Sequence, residues 1–361
     1  MDTAPKGTVA SPDISPEELR LAARNHGMPL EALRHDITPA GLHYLLIHYD
    51  IPEVDPAAFR LEVGGLVARP LSLSLDELRA RPRVELPVTF ECAGNGRARL
   101  SPRPVSQPWL TEAVGTAVWA GTPLAPLLEE AGVEDGAVEV LFTGLDRGVE
   151  GGVHQAYERS LPLPDALGED LLLAYEMNGE PLPAQHGFPL RLMVPGWYGM
   201  TNVKWLARIE LLSEPFQGYQ QAVAYRMYGD DGEPGEPVTR MLPRSLMVPP
   251  GVPDFMTRER HLEPGPTLLR GRAWSGLAPI ERVEASTDGG VTWTEAGLEP
   301  PPSKAAWAGW SHEWNADPGE YELCSRATDA AGNTQPVEPA WNLKGYANNE
   351  VDRLRVIVGR A

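Results

Sequence analysis

The run Val248-Pro249-Pro250-Gly251-Val252-Pro253 constrains this chain more than any other stretch. Each proline fixes φ and lacks a backbone donor, so neither a helix interior nor a central strand continues through the run. It reads as a rigid linker, and the sequence changes character across it. Beyond it helix signals largely disappear, and residues 267–274, 280–286, 291–295, 320–327 and 353–358 alternate like strands. Thr287-Asp288-Gly289-Gly290 supplies a hairpin turn between two of them. Trp274 and Trp293 are expected in the core, with Cys324 as buried filler inside an alternating strand. An all-β sandwich over 246–361 is the expectation.

Ahead of the linker the texture is mixed. Residues 1–13 read as a mobile tail. Ser15-Pro16-Glu17-Glu18 opens a helix with a hydroxyl cap, proline at the first position and acids in the first turn. Ser74-Leu75-Asp76-Glu77-Leu78 and Thr122-Pro123-Leu124 predict two more helices, the second stopped by Gly132. Short apolar segments at 59–63, 84–90, 138–143, 171–175, 190–194 and 203–212 predict strands. No glycine-rich phosphate loop follows any of them, so 14–245 is expected to be α+β rather than doubly wound.

At 361 residues, 42% of them hydrophobic, the chain has the length for two domains with their own cores. No stretch approaches an apolar membrane span. A net charge of −19 speaks against nucleic acid or an anionic membrane as partner. An anion-binding site would then need local basic spots, for which Arg97, Arg99, Arg103, Arg191 and Lys204 are candidates. Two cysteines make no disulfide scaffold and fit a reducing compartment. Met1-Asp2-Thr3-Ala4-Pro5-Lys6 has neither the order of a secretory signal nor a twin arginine, so a cytoplasmic protein is expected.

The sharpest local feature is Thr89-Phe90-Glu91-Cys92-Ala93-Gly94-Asn95-Gly96-Arg97, an apolar strand that delivers one thiol into a glycine-punctuated turn. An unpaired cysteine is most often a small buried hydrophobe. Gly94, Asn95 and Gly96 tolerate positive φ or close approach of another group, and nearby arginines favour thiolate. A soft-metal ligand, a nucleophile and a buried filler all remain open on this chemistry alone.

This turn resembles the Cys-Ala-Gly-Asn-x-Arg signature of the sulfite oxidase family, molybdenum enzymes in which one thiolate binds the metal of a pyranopterin cofactor. The similarity continues through Gly144-Leu145-Asp146, Leu172-Leu173-Ala174-Tyr175-Glu176-Met177-Asn178-Gly179, His186-Gly187-Phe188-Pro189-Leu190-Arg191, Val203-Lys204-Trp205-Leu206 and Trp341-Asn342-Leu343-Lys344-Gly345. The resemblance implies a molybdopterin-binding α+β domain followed by an immunoglobulin-like domain through which such enzymes dimerise. It implies Cys92 as the metal ligand, and His48, Asp146, Ser160, His186, Arg191 and Lys204 as binders of the pterin or its phosphate. Arg97, Tyr225, Trp109 and Lys344 match the substrate pocket. The resemblance further implies molybdenum with molybdopterin as cofactor, a small anionic or sulfur-containing substrate, and a separate electron acceptor. Nothing in the sequence corresponds to the family's haem domain. Trp307 and Trp310 are read as exposed, either being a candidate for the dimer interface that the resemblance implies.

Two positions depart from the family. Aligned on Asp55-Pro56, His48 falls on the histidine of an Arg-Asn-His triplet whose arginine serves the sulfite pocket, but Leu46 and Ile47 replace the other two. Arg24-Asn25-His26 carries the triplet well upstream, where it is a decoy. Lys344 stands where arginine is usual, and a lysine lacks the planar fork. These departures keep open a reductase of sulfoxides or N-oxides on the same cofactor, and beyond it a non-catalytic two-domain binding protein. The acidic Asp230-Asp231-Gly232-Glu233 lacks the spacing of a calcium loop and reads as a solvated turn.

Overall fold

Ser15 and Ser74 open helices by the same device. Each hydroxyl accepts from the backbone N–H of a glutamate three residues on, whose carboxylate accepts from the cap's own N–H, giving helices Pro16–Arg24 and Leu75–Arg79. The third predicted helix starts later than Thr122, because Thr122 and Pro123 end the strand Val114–Pro123. It runs Leu124–Ala131, buries Leu124, Leu127, Leu128 and Ala131, and stops at Gly132 with φ +72°. The structure, a computed structural model, describes residues 13–229 and 232–359. Of the predicted tail only Asp13 is therefore visible, its carbonyl accepting from Arg103, and Asp230 and Asp231 of the acidic turn lie outside the described residues.

Two sheets build the mixed unit. One orders Leu71–Leu73, Leu61–Gly65, Leu206–Leu212, Glu139–Glu150 and Val153–Pro162, with only the Leu61–Gly65 and Leu206–Leu212 pair parallel. The other orders Val84–Glu91, Val114–Pro123, Leu172–Met177 and Glu180–Pro181, with Arg191–Met193 also paired to Leu172–Met177. Leu61, Leu128, Phe142, Leu173 and Ile209 share one core that joins both sheets and the Leu124–Ala131 helix. This is the α+β class the sequence predicts.

The unpredicted strands Val114–Pro123 and Val153–Pro162 have physical reasons to be missed. The first is buried along nearly its whole length, so nothing in it alternates. The second carries His154, Glu158 and Arg159, charges that hide its apolar face.

In the second unit, Arg244–Met247, Gly265–Trp274, Ala308–Ala316 and Gly297–Leu298 form one sheet. Val252–Pro253, Arg260–Leu262, Arg353–Val358, Gly319–Asp329, Ile280–Ser286 and Thr294–Glu295 form the other. Met247, Leu269, Val283, Trp310, Leu323 and Val356 fill the space between them. The sandwich begins at Arg244, ahead of the expected start at 246, and the proline run lies inside it. Val252–Pro253 is a two-residue edge strand, where a missing donor costs no ladder bond.

Other expectations are corrected here. The segment 291–295 contributes only Thr294–Glu295 as strand, and Val291 is exposed. The intervening loop is wider than a tight turn because the Asp288 carboxylate organises it, accepting from the Val291 and Thr292 amides and the Thr292 hydroxyl. Trp293 is half-buried beneath Arg326, whose guanidinium lies 4.3 Å from the ring centre, and is not a core residue. Trp274 and Cys324 are buried as expected. Trp307 and Trp310, read as exposed, are fully buried. Trp307 packs against Met28, Leu33 and Ala93 of the first unit and donates from its indole to the Asp36 carbonyl at 2.8 Å. No helix among the described residues is long and apolar enough to cross a membrane.

Candidate functional site

The strand Val84–Glu91 ends at Cys92, and the turn beyond it is locked by Asn95. Its amide nitrogen donates to Glu91 Oε1 (2.8 Å) and the Thr111 carbonyl (3.1 Å), and its Oδ1 accepts from the Ala113 amide (3.0 Å). A Cβ at Gly94 would lie 2.7 Å from the Arg97 guanidinium carbon, so glycine there is what lets Arg97 fold back over the turn. Gly96 sits at φ +88°. Cys92 is buried, and burial pushes its thiol pKa up, while the Arg97 charge and the Trp109 indole pull the other way. The cationic surroundings expected from sequence are thus smaller than they read. Arg99 is taken by Glu350 and Asp352, and Arg103 by Glu18.

Cys92 forms part of a pocket whose walls include Tyr44, Leu46, His48, Asp146, His186, Arg191, Lys204 and Tyr225. Asp146 enters through a bulge, since the pairing of Glu139–Glu150 with Val153–Pro162 shifts between Thr143 and Arg147. Gly144 makes room, as a Cβ there would meet Asp146 Oδ1 at 2.6 Å. The turn Ala184–His186 and the following Gly187, φ +108°, bring His186 and Arg191 together, and Arg191 Nη1 donates to the His186 carbonyl at 2.9 Å. Lys204 Nζ donates to the carbonyls of Leu46 (2.8 Å) and Gln185 (3.2 Å). Burial pushes the Asp146 carboxyl up and the Lys204 ammonium down, each opposed by the other's charge. Burial also holds the imidazoles neutral, His48 at about 3 and His186 at about 2, with Lys204 among the cations reinforcing both shifts.

Five of the six predicted cofactor-binding side chains therefore meet in one pocket with the thiol. Ser160 does not join them. It stands three residues from the pocket-lining Tyr157 on one strand, hence on the opposite face, and its amide faces Gln221.

Of the predicted substrate residues, Tyr225 lines the pocket, Arg97 and Trp109 act on the Cys92 thiol, and Lys344 stands behind Arg97. Tyr225 Oη lies 2.6 Å from His48 Nε2, and its ring is tilted 30° against that of Tyr346 with centres 5.2 Å apart. Arg97 lies 5.1 Å above Tyr346 and donates from Nε to the Lys344 carbonyl (2.7 Å) and from Nη1 to that of Gln107 (3.3 Å). Lys344 Nζ donates to the carbonyls of Val223 (2.8 Å) and Ala224 (3.1 Å), closing the π-helical turn Gln220–Ala224. Trp109 is buried in the cluster that holds Cys92 and Phe90.

Sequence reasoning missed His43, Tyr44, Tyr157, Arg159 and Tyr346. His43 lies in edge-on contact with His186, ring centres 5.6 Å apart. Arg159 is 1% exposed and lies 5.4 Å from the Tyr225 ring centre.

The donor set suits a pterin phosphate. Asp146 Oδ1 and Arg191 Nε are buried without partners, an arrangement that calls for a polar ligand. A carboxylate suits the amino edge of a heterocycle, and Arg191 with Lys204 suits a phosphate. Among the described residues no group of three or more His, Cys, Asp and Glu side chains converges on a metal position. A metal at Cys92 would therefore take its other ligands from a cofactor.

Residues 48–220 match the family described as oxidoreductase molybdopterin binding domain, and 243–359 the Mo-co oxidoreductase dimerisation domain. Mitochondrial sulfite oxidase of Mus musculus is 38% identical over 341 residues, covering 89% of this chain and 62% of that protein. The chain thus spans less than two thirds of that relative's length. Sulfite oxidase of Arabidopsis thaliana is 35% identical over 356 residues, covering 90% of this chain and 89% of that protein. Among solved structures, the sulfane dehydrogenase SoxCD from Paracoccus pantotrophus superimposes with a TM-score of 0.80 at 29% identity, covering 93% of this chain and 86% of that one.

Proposed function

The chain belongs to the sulfite oxidase family of molybdopterin-dependent oxidoreductases, and we propose that it oxidises sulfite or a related small sulfur oxyanion. For sulfite the balance is one sulfite and one water giving one sulfate, two protons and two electrons, the electrons passing to a separate acceptor. The observation that carries this reading is the buried Cys92 thiol in the pocket lined by His48, Asp146, His186, Arg191 and Lys204, with Arg97 beside it. Cys92 would hold the metal, while Asp146, His186, Arg191 and Lys204 would hold the pterin and its phosphate. Bound there, the cofactor supplies two-electron oxygen-atom-transfer chemistry.

The chain's own residues position and screen. Arg97, tethered to two carbonyls and the Tyr346 ring, is a fixed positive group next to the thiol. His48 is neutral, so a proton on its Nε2 would bond the Tyr225 oxygen and leave the phenolic proton for a substrate oxygen. Phe90, Trp109 and Trp119 pack around the thiol and keep bulk water from it. Dimerisation of two copies through the second unit fits its family match. Buried Trp307 and Trp310 take no part in that contact.

Molybdenum analysis and sulfite turnover with ferricyanide as acceptor test the reading together. Stoichiometric metal, its loss in Cys92→Ser, and sulfite-dependent reduction are expected; metal-replete protein inert to sulfite would reject sulfite oxidation. Leu46 favours a second reading. It places an apolar side chain in the pocket wall, which suits a neutral sulfoxide or N-oxide run in the reducing direction. Reoxidation of the reduced enzyme by dimethyl sulfoxide, without sulfite turnover, would select it.

A further inference from the structure

We propose that Arg159 is the cation that gives this site its affinity for an anionic substrate, acting from the Tyr225 side while Arg97 acts from the Tyr346 side. The inference rests on the proposed oxyanion substrate and deepens it. Arg159 lies on Val153–Pro162 two residues from the pocket-lining Tyr157, on the same face of the strand, and stands directly behind Tyr225, another lining residue. Its guanidinium is 1% exposed, yet no carboxylate pairs with it among the described residues. One nitrogen, Nη1, donates to the Gln220 carbonyl, and Nε is buried without a partner.

A buried guanidinium without a counter-ion is unfavourable unless something anionic arrives. The groups around it are phenols and imidazole rather than acids. Arg159 stands 5.4 Å from the Tyr225 ring centre, that ring 5.2 Å from Tyr346, and Tyr346 5.1 Å from the Arg97 guanidinium. Two guanidinium groups thus bracket a contacting pair of phenols next to Cys92, and the hydroxyl of one phenol touches His48. The carboxylate whose charge reaches Arg159 is Glu139, which accepts from the Phe216 amide at 2.9 Å and forms no ion pair with it; Glu150, which acts on Tyr225 and Tyr346, is held by the Gln220 amide at 2.7 Å. With Leu46 unable to bind an anion, Lys344 tied to two carbonyls and Arg191 assigned to the cofactor phosphate, Arg159 is a buried cation with an unused donor on the Tyr225 side.

The test uses molybdenum-loaded enzyme and sulfate, a non-reacting dianion, titrated calorimetrically. Sulfate affinity is expected to fall at least tenfold in Arg159→Gln. It should fall about threefold in Arg159→Lys, which keeps the charge but not the fork. KM for sulfite should rise in the same order with kcat changed less, and molybdenum content and melting temperature should hold. If Arg159→Gln does not fold, the threefold loss in Arg159→Lys carries the test. Wild-type sulfate affinity in a folded, metal-replete variant overturns the assignment. Wild-type enzyme that binds sulfate but does not turn over sulfite rejects the proposed reaction, and a loss of sulfate affinity in the variants still supports Arg159.

Discussion

A phenolic proton serves one partner at a time, and the 2.6 Å between Tyr225 Oη and His48 Nε2 makes the choice depend on the imidazole. With His48 pushed down to about 3, the ring stays neutral at any pH near 7, and a proton on its Nε2 would bond the Tyr225 oxygen and free the phenolic proton for substrate. Tyr225→Phe removes that hydroxyl and leaves the ring contact with Tyr346. One lost hydrogen bond to an anion is worth about 1.5–3 kcal/mol, so kcat/KM for sulfite should fall at least tenfold with molybdenum content unchanged. Steady-state kinetics beside metal analysis checks it, and an unchanged kcat/KM would remove Tyr225 from the pocket. Beneath the thiol, Glu91 accepts from Asn95 (2.8 Å) and the Trp274 indole (3.0 Å) and pairs with Arg244 at 3.0 Å. Arg244 is wholly buried, so Glu91→Gln would strand its charge and should cost about 3–5 kcal/mol in denaturant unfolding.

At the scale of elements, the loop between Ile280–Ser286 and Thr294–Glu295 is held by Asp288. Its carboxylate accepts from the Thr292 side chain and amide, which hold its pKa at about 2 against an ordinary 3.8. A depressed carboxyl stabilises the fold above its ordinary value, and the benefit disappears as pH falls through the folded one. The gap in melting temperature between wild type and Asp288→Asn should therefore be full above about pH 4 and close toward about pH 2; a gap that ignores pH would refute it. The same loop shows how far a sequence can be read. Gly289 and Gly290 announce a turn, but its width comes from one carboxylate reaching three and four residues on, which no glycine count reveals. Capping is fully local, so Ser15 and Ser74 were readable as helix starts. The pocket was readable where one turn carries two of its residues, as with His186 and Arg191. Arg159 was not, because its strand was not recognised: Tyr157, Arg159 and Leu161 form a buried face only once Arg159 is accepted as an inward residue. Ser160, assigned by resemblance alone, stands one position along from Arg159 and so faces the other way, its buried hydroxyl unpartnered. The tryptophans failed for other reasons: Trp310 points between the two sheets of the sandwich itself. A sandwich seen alone has an outer surface, and only the packing of the first unit on it buries Trp307.

Across the whole molecule, the segment 341–352 of the second unit reaches back and holds the Cys92 turn. The Ala347 amide donates to the Ala93 carbonyl at 2.8 Å, and Asn348 Nδ2 to that of Gly96 at 2.9 Å. From the turn itself, Arg97 Nε donates to the Lys344 carbonyl at 2.7 Å, and Arg99 pairs with Glu350 and Asp352. The Trp341 indole donates to the Pro102 carbonyl at 2.8 Å. The element that carries the thiol is therefore fixed by a strand on one side and by the other unit on the other side. A ligand turn held this way keeps its thiol in place without the metal, which favours metal binding because little ordering is left to do. Asn348→Ala cuts the bond to Gly96 and also frees the Arg244 contact at the Asn348 carbonyl to shift. It leaves every pocket side chain intact. Stability should drop by about 1–3 kcal/mol, the cost of unpaired buried groups. Molybdenum should also leave the variant faster than wild type on dialysis against a chelator, while sulfite KM in the metal-replete fraction is unchanged. Equal metal retention would show that the strand alone holds the turn and that the second unit contributes only its own fold.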